Sequence, residues 1–295
     1  MKVCTQIVSA LLLVTLLVVQ ASAASYDIQK ELDKYGYLAQ NDPSVLPPEI
    51  QNAACVPVAT ANSFVYLENK YPEIYGRLLV PDTNPNGIHD LCEIGAVAST
   101  LASANYMNTK VAIGGTWQDM GLYGKWRYME DNAPGKTIYA AQMSGTWGFP
   151  LDRNPDEIPP IEKPDWVEDN TFPTWQFLYE NLVACQDVEI CINDGSWGHC
   201  LTLTSFHWQD QNEDGFIQQA EGATIDYIDP ATGKWVAASP IWHADNHQFL
   251  LVSYGVHQSA VLELAVKESP IPEPSTLVLS VLAGLGLGWY ARRRR

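Results

Sequence analysis

Apolar positions fall into three regimes along the chain. Residues 7–19 form an apolar run behind a single charge, Lys2. Residues 277–291 form a second run, closed by Arg292 to Arg295. Between them the pattern is mixed. The spacing in 27–36 predicts a short amphipathic helix. Residues 57–69 read as a buried helix, with Val58, Ala61 and Val65 at i, i+3 and i+7. Residues 90–107 predict a second helix rich in small residues, and 174–184 a third, with Thr171 or Thr174 as its cap. The last third changes period. Strands are expected at 187–193, 199–208, 223–228, 249–254 and 261–266, after an earlier one at 136–143. The acidic, Pro-rich stretch 150–173 reads as a surface loop. The expected fold class is therefore α+β, with N-terminal helices followed by an antiparallel sheet and the cleft between the two halves.

The ends carry their own chemistry. Lys2, the apolar run and Ala21-Ser22-Ala23 have the layout of a secretory signal peptide over residues 1–23, with cleavage expected from signal peptidase after Ala23. The run is shorter than the roughly 20 residues a spanning helix needs. At the other end, Pro272-Glu273-Pro274, the apolar segment 277–291 and the arginine cluster resemble a PEP-CTERM sorting signal over 270–295. That resemblance implies a transient membrane segment, processing by an exosortase, and delivery to the surface or extracellular matrix of a Gram-negative-type cell. The arginines would hold the cytoplasmic side. The domain between the two signals is expected to span 24–269.

Charge and cysteine count narrow the partners. Without Lys2 and the terminal arginines, 12 of the 17 basic side chains remain; without Glu273, 33 of the 34 acidic ones remain, a balance near −21. Such a surface repels nucleic acid, and repels anionic polysaccharide of the matrix unless divalent cations intervene. Cys4 leaves with the signal. Cys55, Cys92, Cys185, Cys191 and Cys200 stay, an odd number for an oxidising compartment, so one thiol is left over. Cys191 and Cys200 lie on strands joined by the turn at 194–198 and could bridge across that hairpin, which would leave Cys92 and Cys185 for each other.

Cys55 stands two residues before Pro57, at the start of a predicted helix, where the helix dipole favours thiolate. His199 follows a Gly-rich turn and opens a strand, and Asp229 ends the next one, with Asp226 a second acid within reach. Nucleophile, base and orienting acid then follow in chain order. Around these residues the sequence resembles papain-like cysteine peptidases. Ala54-Cys55-Val56-Pro57-Val58-Ala59-Thr60-Ala61-Asn62 looks like the nucleophile helix, in a form similar to secreted immunoglobulin-degrading peptidases. Gly198-His199-Cys200-Leu201 looks like the base-bearing strand, and Tyr227-Ile228-Asp229-Pro230 is similar to the Asp-Pro strand end of double-glycine leader peptidase-like families. The resemblance implies a papain-like fold, a peptide or protein substrate, catalysis by Cys55, His199 and Asp229, and Gln51 as oxyanion donor. The alternatives are a non-catalytic calcium-binding surface or matrix protein on the same fold and a transglutaminase-like acyl transferase, which uses the same three residue types.

Residues 210–221 fit the EF-hand loop pattern. Asp210, Asn212 and Asp214 stand at positions 1, 3 and 5, Gly215 at 6, Phe216 at 7 for its carbonyl, Gln218 at 9 and Glu221 at 12. The expected ligand is Ca2+. The loop joins the His199 and Asp229 strands, so a bound cation would stiffen that connection. His243 and His247 read as structural or surface residues. Trp117, Trp147 and Trp197, each beside or near a glycine, could line a cleft.

Overall fold

The computed structural model describes residues 23–148 and 161–271. Residues 1–22 of the signal peptide, 150–160 of the Pro-rich stretch and the apolar segment 277–291 lie outside the described residues. No helix among the described residues is long and apolar enough to cross a membrane.

The architecture corrects the expected papain-like α+β arrangement. Its first element is a strand, β1 (Ala24–Gln29), where a helix from residue 27 was expected. Tyr26 and Ile28 are half-buried while Ser25, Asp27 and Gln29 are exposed, a period of two that only a neighbouring strand can satisfy. The remaining strands are β2 (Thr137–Met143), β3 (Val167–Asp169), β4 (Asp187–Asn193), β5 (Gly198–Asp210), β6 (Thr224–Asp229), β7 (Lys234–His243), β8 (Leu250–Tyr254) and β9 (His257–Pro270). All nine join one sheet. Strands β5, β6, β7, β8 and β9 pair in order, and β4 pairs with both β5 and β9. The result is a closed six-stranded antiparallel barrel. Strand β1 extends it along β5, and β2 and β3 along β9. Closure removes the exposed edges that an open sheet of this length would present.

Among the described residues five helices decorate the barrel: α1 (Cys55–Lys70), α2 (Pro72–Tyr75), α3 (Leu91–Ala102), α4 (Gln118–Asn132) and α5 (Trp175–Val183). Helix α3 starts with a capping box between Asp90 and Glu93, and α5 with Thr174 accepting from Phe177 N–H. The two larger hydrophobic clusters are set apart from a smaller outer one around Leu122, Met143 and Leu264. The barrel interior holds Ile190, Ile192, Leu201, Leu203, Phe206, Ile225, Val252 and Leu262, with Trp175 and Leu178 of α5 packed into the same cluster. The second centre lies around α1, where Val58, Ala61, Phe64 and Val65 pack with Ile94, Val97, Leu101 and Met129.

Candidate active site

Helix α1 is buried from Cys55 to Glu68 with the exception of Val56, so its position is fixed from several sides. On one side Thr202 Oγ1 of β5 donates to the Ala59 carbonyl at 3.1 Å. On another, Asn62 accepts from Leu38 N–H at 2.8 Å and donates to Leu38 O at 3.2 Å, tying the segment after β1 to the helix. No side chain caps the N-terminus at Ala54, so the first-turn N–H groups keep their capacity for an external acceptor.

Cys55 opens that helix, and His199 enters β5 opposite it. The Cys55 thiol lies beside His199, close enough for each group to shift the other's protonation. His199 Nε2 meets Asp229 Oδ1 at 2.8 Å, which leaves Nδ1 as the ring nitrogen for the thiol. Asp229 is held in turn: Ala231 N–H donates to Oδ1 at 2.8 Å and Tyr254 OH to Oδ2 at 3.0 Å. The turn beyond Asp229 packs on the 37–40 segment, with Gln40 N–H donating to Pro230 O at 2.6 Å. Gly233 is required there. Its φ is +63°, and a Cβ would stand 2.6 Å from Tyr37 O. Trp197 lies over the pair, its ring 5.1 Å from His199 and stacked on Tyr254 at 5.0 Å.

Electrostatics follow from this geometry. Burial raises the Cys55 thiol, but the His199 hydrogen bond and charge, and the Cys200 and Val56 N–H groups, outweigh it and leave the thiol below its ordinary value. Burial disfavours His199 imidazolium, yet its bonds to Asp229 and Cys55 lift it to about 9. Asp229 is held below the usual carboxylate range: burial opposes ionisation, and the His199, Ala231 and Tyr254 hydrogen bonds prevail. The three groups are mutually arranged for a thiolate–imidazolium pair with an ionised acid behind it.

A cavity of about 470 Å³ opens beside Cys55 and His199. Gln51 is not among its lining residues. Its carboxamide donates to Leu46 O at 2.9 Å, away from the thiol. Gln118, at the first turn of α4, lines the cavity instead. Asp226 faces elsewhere, accepting from Ala238 N–H at 2.8 Å. It lies three residues from Asp229 on the same strand, so the two acids project from opposite faces. Of the two candidate acids, the structure brings Asp229 to the histidine.

Cys191 and Cys200 form the expected cross-strand disulfide on the cavity wall. Cys92 and Cys185 do not pair with each other; both are free, which corrects the expected second bridge. His243 is structural, its Nδ1 accepting from Ile217 N–H at 2.8 Å.

The 210–221 loop leaves β5 and returns through a single 3-10 turn, Gln219–Glu221, into β6. Gly215 takes φ +76° at the sharp turn. Asp210 Oδ2 accepts from Gly215 N–H at 3.0 Å, Asp214 Oδ1 from Phe216 N–H at 2.8 Å, and Glu221 Oε1 from Gln211 N–H at 3.1 Å. Asp210 Oδ1 is buried with no partner. The donor set suits a hard cation, and the lone buried oxygen at position 1 is what such a cation would satisfy. Among the described residues no three His, Cys, Asp or Glu side chains are already gathered as a metal site. Asp214 and Glu221 are turned onto backbone N–H groups and would have to leave them.

Sequence reasoning missed Tyr254, which donates to Asp229, and two residues that line the cavity, Gln118 and Glu263. Tyr254 closes an expected strand, but its contact with Asp229 depends on the β6–β7–β8 order, and β7 carried no clear strand signal. Gln118 sits on α4, a helix whose mixed polarity gives no amphipathic stripe.

Comparison with known families adds one finding. The PEP-CTERM protein-sorting motif matches residues 270–295. No curated protein matches the chain. The chain therefore carries the sorting motif of an exported bacterial envelope protein, and with it the mark of an exosortase substrate.

Proposed function

We propose that this protein is an exported thiol peptidase, working at the cell surface or in the extracellular matrix, with Cys55 as nucleophile, His199 as base and then acid, and Asp229 as orienting group. The observation that carries the reading is His199, buried at the wall of a cavity, bonded on one side to Asp229 and lying on the other beside Cys55, whose protonation it shifts. A structural histidine needs one such partner; a nucleophile–base–acid relay needs both.

In this reading the Cys55 thiolate attacks a peptide carbonyl carbon. The carbonyl π electrons move to oxygen, where first-turn N–H groups of α1 and the Gln118 carboxamide are the nearby donors. Collapse of that oxyanion expels the amine, which takes its proton from His199 imidazolium, and leaves a thioester on Cys55. Neutral His199 then takes a proton from water, the hydroxide adds to the thioester, and loss of the protonated thiolate returns the enzyme and a carboxylic acid. Tyr254 and Ala231 keep Asp229 ionised and aimed at Nε2 throughout.

The same reading assigns Ca2+ to the 210–221 loop, through Asp210, Asn212, Asp214, Gln218, Glu221 and the Phe216 carbonyl. The cation would stiffen the connection between the His199 and Asp229 strands; it takes no part in the reaction.

The test is turnover. The 24–269 domain is incubated with a mixed peptide library and with a fluorescent primary amine, beside Cys55→Ala. New peptide termini that are lost in Cys55→Ala support the peptidase. Amine incorporation without cleavage assigns an acyl transferase instead, and no Cys55-dependent product favours a calcium-binding surface protein.

A further inference from the structure

The β4–β9 pairing contains an irregularity that concerns the same cavity. Cys191 stands opposite Leu264 and Ile192 opposite Leu262, so Glu263 is an extra residue with no partner on β4. This is a β-bulge, a device that re-aims side chains beside functional sites. Its effect is visible in the neighbours. Leu262 belongs to the barrel interior, while Leu264 belongs to the outer cluster with Leu122 and Met143. The extra residue puts Glu263 together with Leu264 on the cavity wall. In an unbroken strand Glu263 would have kept the strict alternation and Leu264 would have pointed inward.

The carboxylate is fixed. Gln118 Nε2 donates to Oε2 at 2.8 Å and Asn193 Nδ2 donates to the same oxygen at 3.2 Å, so Oε1 takes neither bond. No lysine, arginine or histidine among the described residues pairs with it. Lys125, the basic residue lining the cavity, is held by Glu189 and Glu268. Burial raises Glu263, with Asn193 and Gln118 only partly opposing it, so an incoming cation would find a carboxylate that gains from being paired.

We propose that Glu263 is a specificity residue that selects a substrate side chain bearing a guanidinium or ammonium group, arginine or lysine, near the scissile bond. The proposal rests on the peptidase reading of Cys55. The free oxygen of a half-buried, pre-oriented carboxylate accepts a charge-assisted hydrogen bond from such a group, and the carboxylate stands on the lining of the cavity where Cys55 reacts. Because Gln118 is shared with the oxyanion region, loss of Glu263 would also disturb positioning. The test must therefore read charge and not rate alone.

Peptidyl chloromethyl ketones carrying one arginine at each of four positions before the electrophile are compared with citrulline counterparts of the same shape and no charge. Labelling of Cys55 in the 24–269 domain is followed by mass spectrometry. At one position the arginine probe is expected to label about tenfold faster, the scale of one charge-assisted hydrogen bond. In Glu263→Gln the ratio should fall to about one, whereas in Glu49→Gln, a change at an exposed residue outside the cavity lining, it should persist. Equal rates at every position overturn the proposal, as does a preference that survives Glu263→Gln. Iodoacetamide, which is neutral, separates the two levels. If it labels Cys55 while the ratio stays at one, the peptidase site stands and Glu263 is not its selector. If it fails to label Cys55, both readings fall.

Discussion

At the residue scale the account turns on a histidine with two partners. His199 is held near 9 and the Cys55 thiol below its ordinary value, so the ion pair populates the interval between them. Below the thiol value Cys55 is protonated and inert. Above about 9 the imidazolium that protonates the leaving amine is lost. Turnover against pH is therefore expected to be bell-shaped, with its alkaline limb near 9, measured as kcat/KM on any cleaved peptide. Tyr254→Phe removes the donor to Asp229 Oδ2 and leaves the ring in place. A loss of about 1 kcal/mol of transition-state stabilisation, roughly fivefold in kcat/KM, is expected, with an unchanged melting temperature. An equal drop in stability would make Tyr254 a packing residue only.

At the element scale three features matter, the 210–221 loop between β5 and β6, the disulfide hairpin and the bulge. The loop pattern was readable because each ligand position is a local rule, and the hairpin bridge because Cys191 and Cys200 flank one turn. Cys55 and His199 were readable for a similar reason: a thiol before Pro57 and a histidine after a glycine turn both announce their element ends. Glu263 was not, because a bulge is defined by the partner strand, and nothing local marks the extra residue. Gln51 was misassigned by proximity in sequence. The structure commits it to Leu46 O and brings Gln118 of α4 to the cavity. If the loop binds Ca2+, saturating it at about a hundred times Kd adds about 2.7 kcal/mol, a shift of roughly 5–10 °C for a domain of this size. Differential scanning fluorimetry with calcium and with chelator reads it directly. Asp210→Ala should remove the calcium-dependent shift, and no shift in the unaltered protein would discard the calcium site.

At the scale of the whole molecule the fold is a closed barrel with helices packed on its outside. The expected α+β order failed because three strands were hidden, one of them β3, inside the stretch 150–173 read as a surface loop. Strand β1 carries a helix-like spacing when read past Gln29, and β7 is exposed along much of its length and contains Pro240. Without them the remaining strands look like one open sheet after a helical half. The helices meet the barrel at a buried ionic knot. Lys125 of α4 reaches Glu189 of β4 and Glu268 of β9 at the second of these within 2.5 Å, with Asp187 at 4.0 Å. Glu268 is pushed up to about 8 by burial, against the pull of Lys125. Replacing Lys125 with Met strands these acids in the interior. A cost of about 3–5 kcal/mol in urea unfolding is expected; a change below about 1 kcal/mol would mean that water reaches the knot.

The most direct measurement of the central claim is iodoacetamide labelling of the 24–269 domain across pH, without reductant, with the modified residue mapped by mass spectrometry. Cys92 and Cys185 are free and serve as internal references. The account predicts that Cys55 labels with an apparent pKa well below about 8.5, and that His199→Ala returns it to or above that value. A Cys55 that labels no faster than the reference thiols at neutral pH, or whose profile is the same in His199→Ala, would contradict it and leave the cavity without a nucleophile.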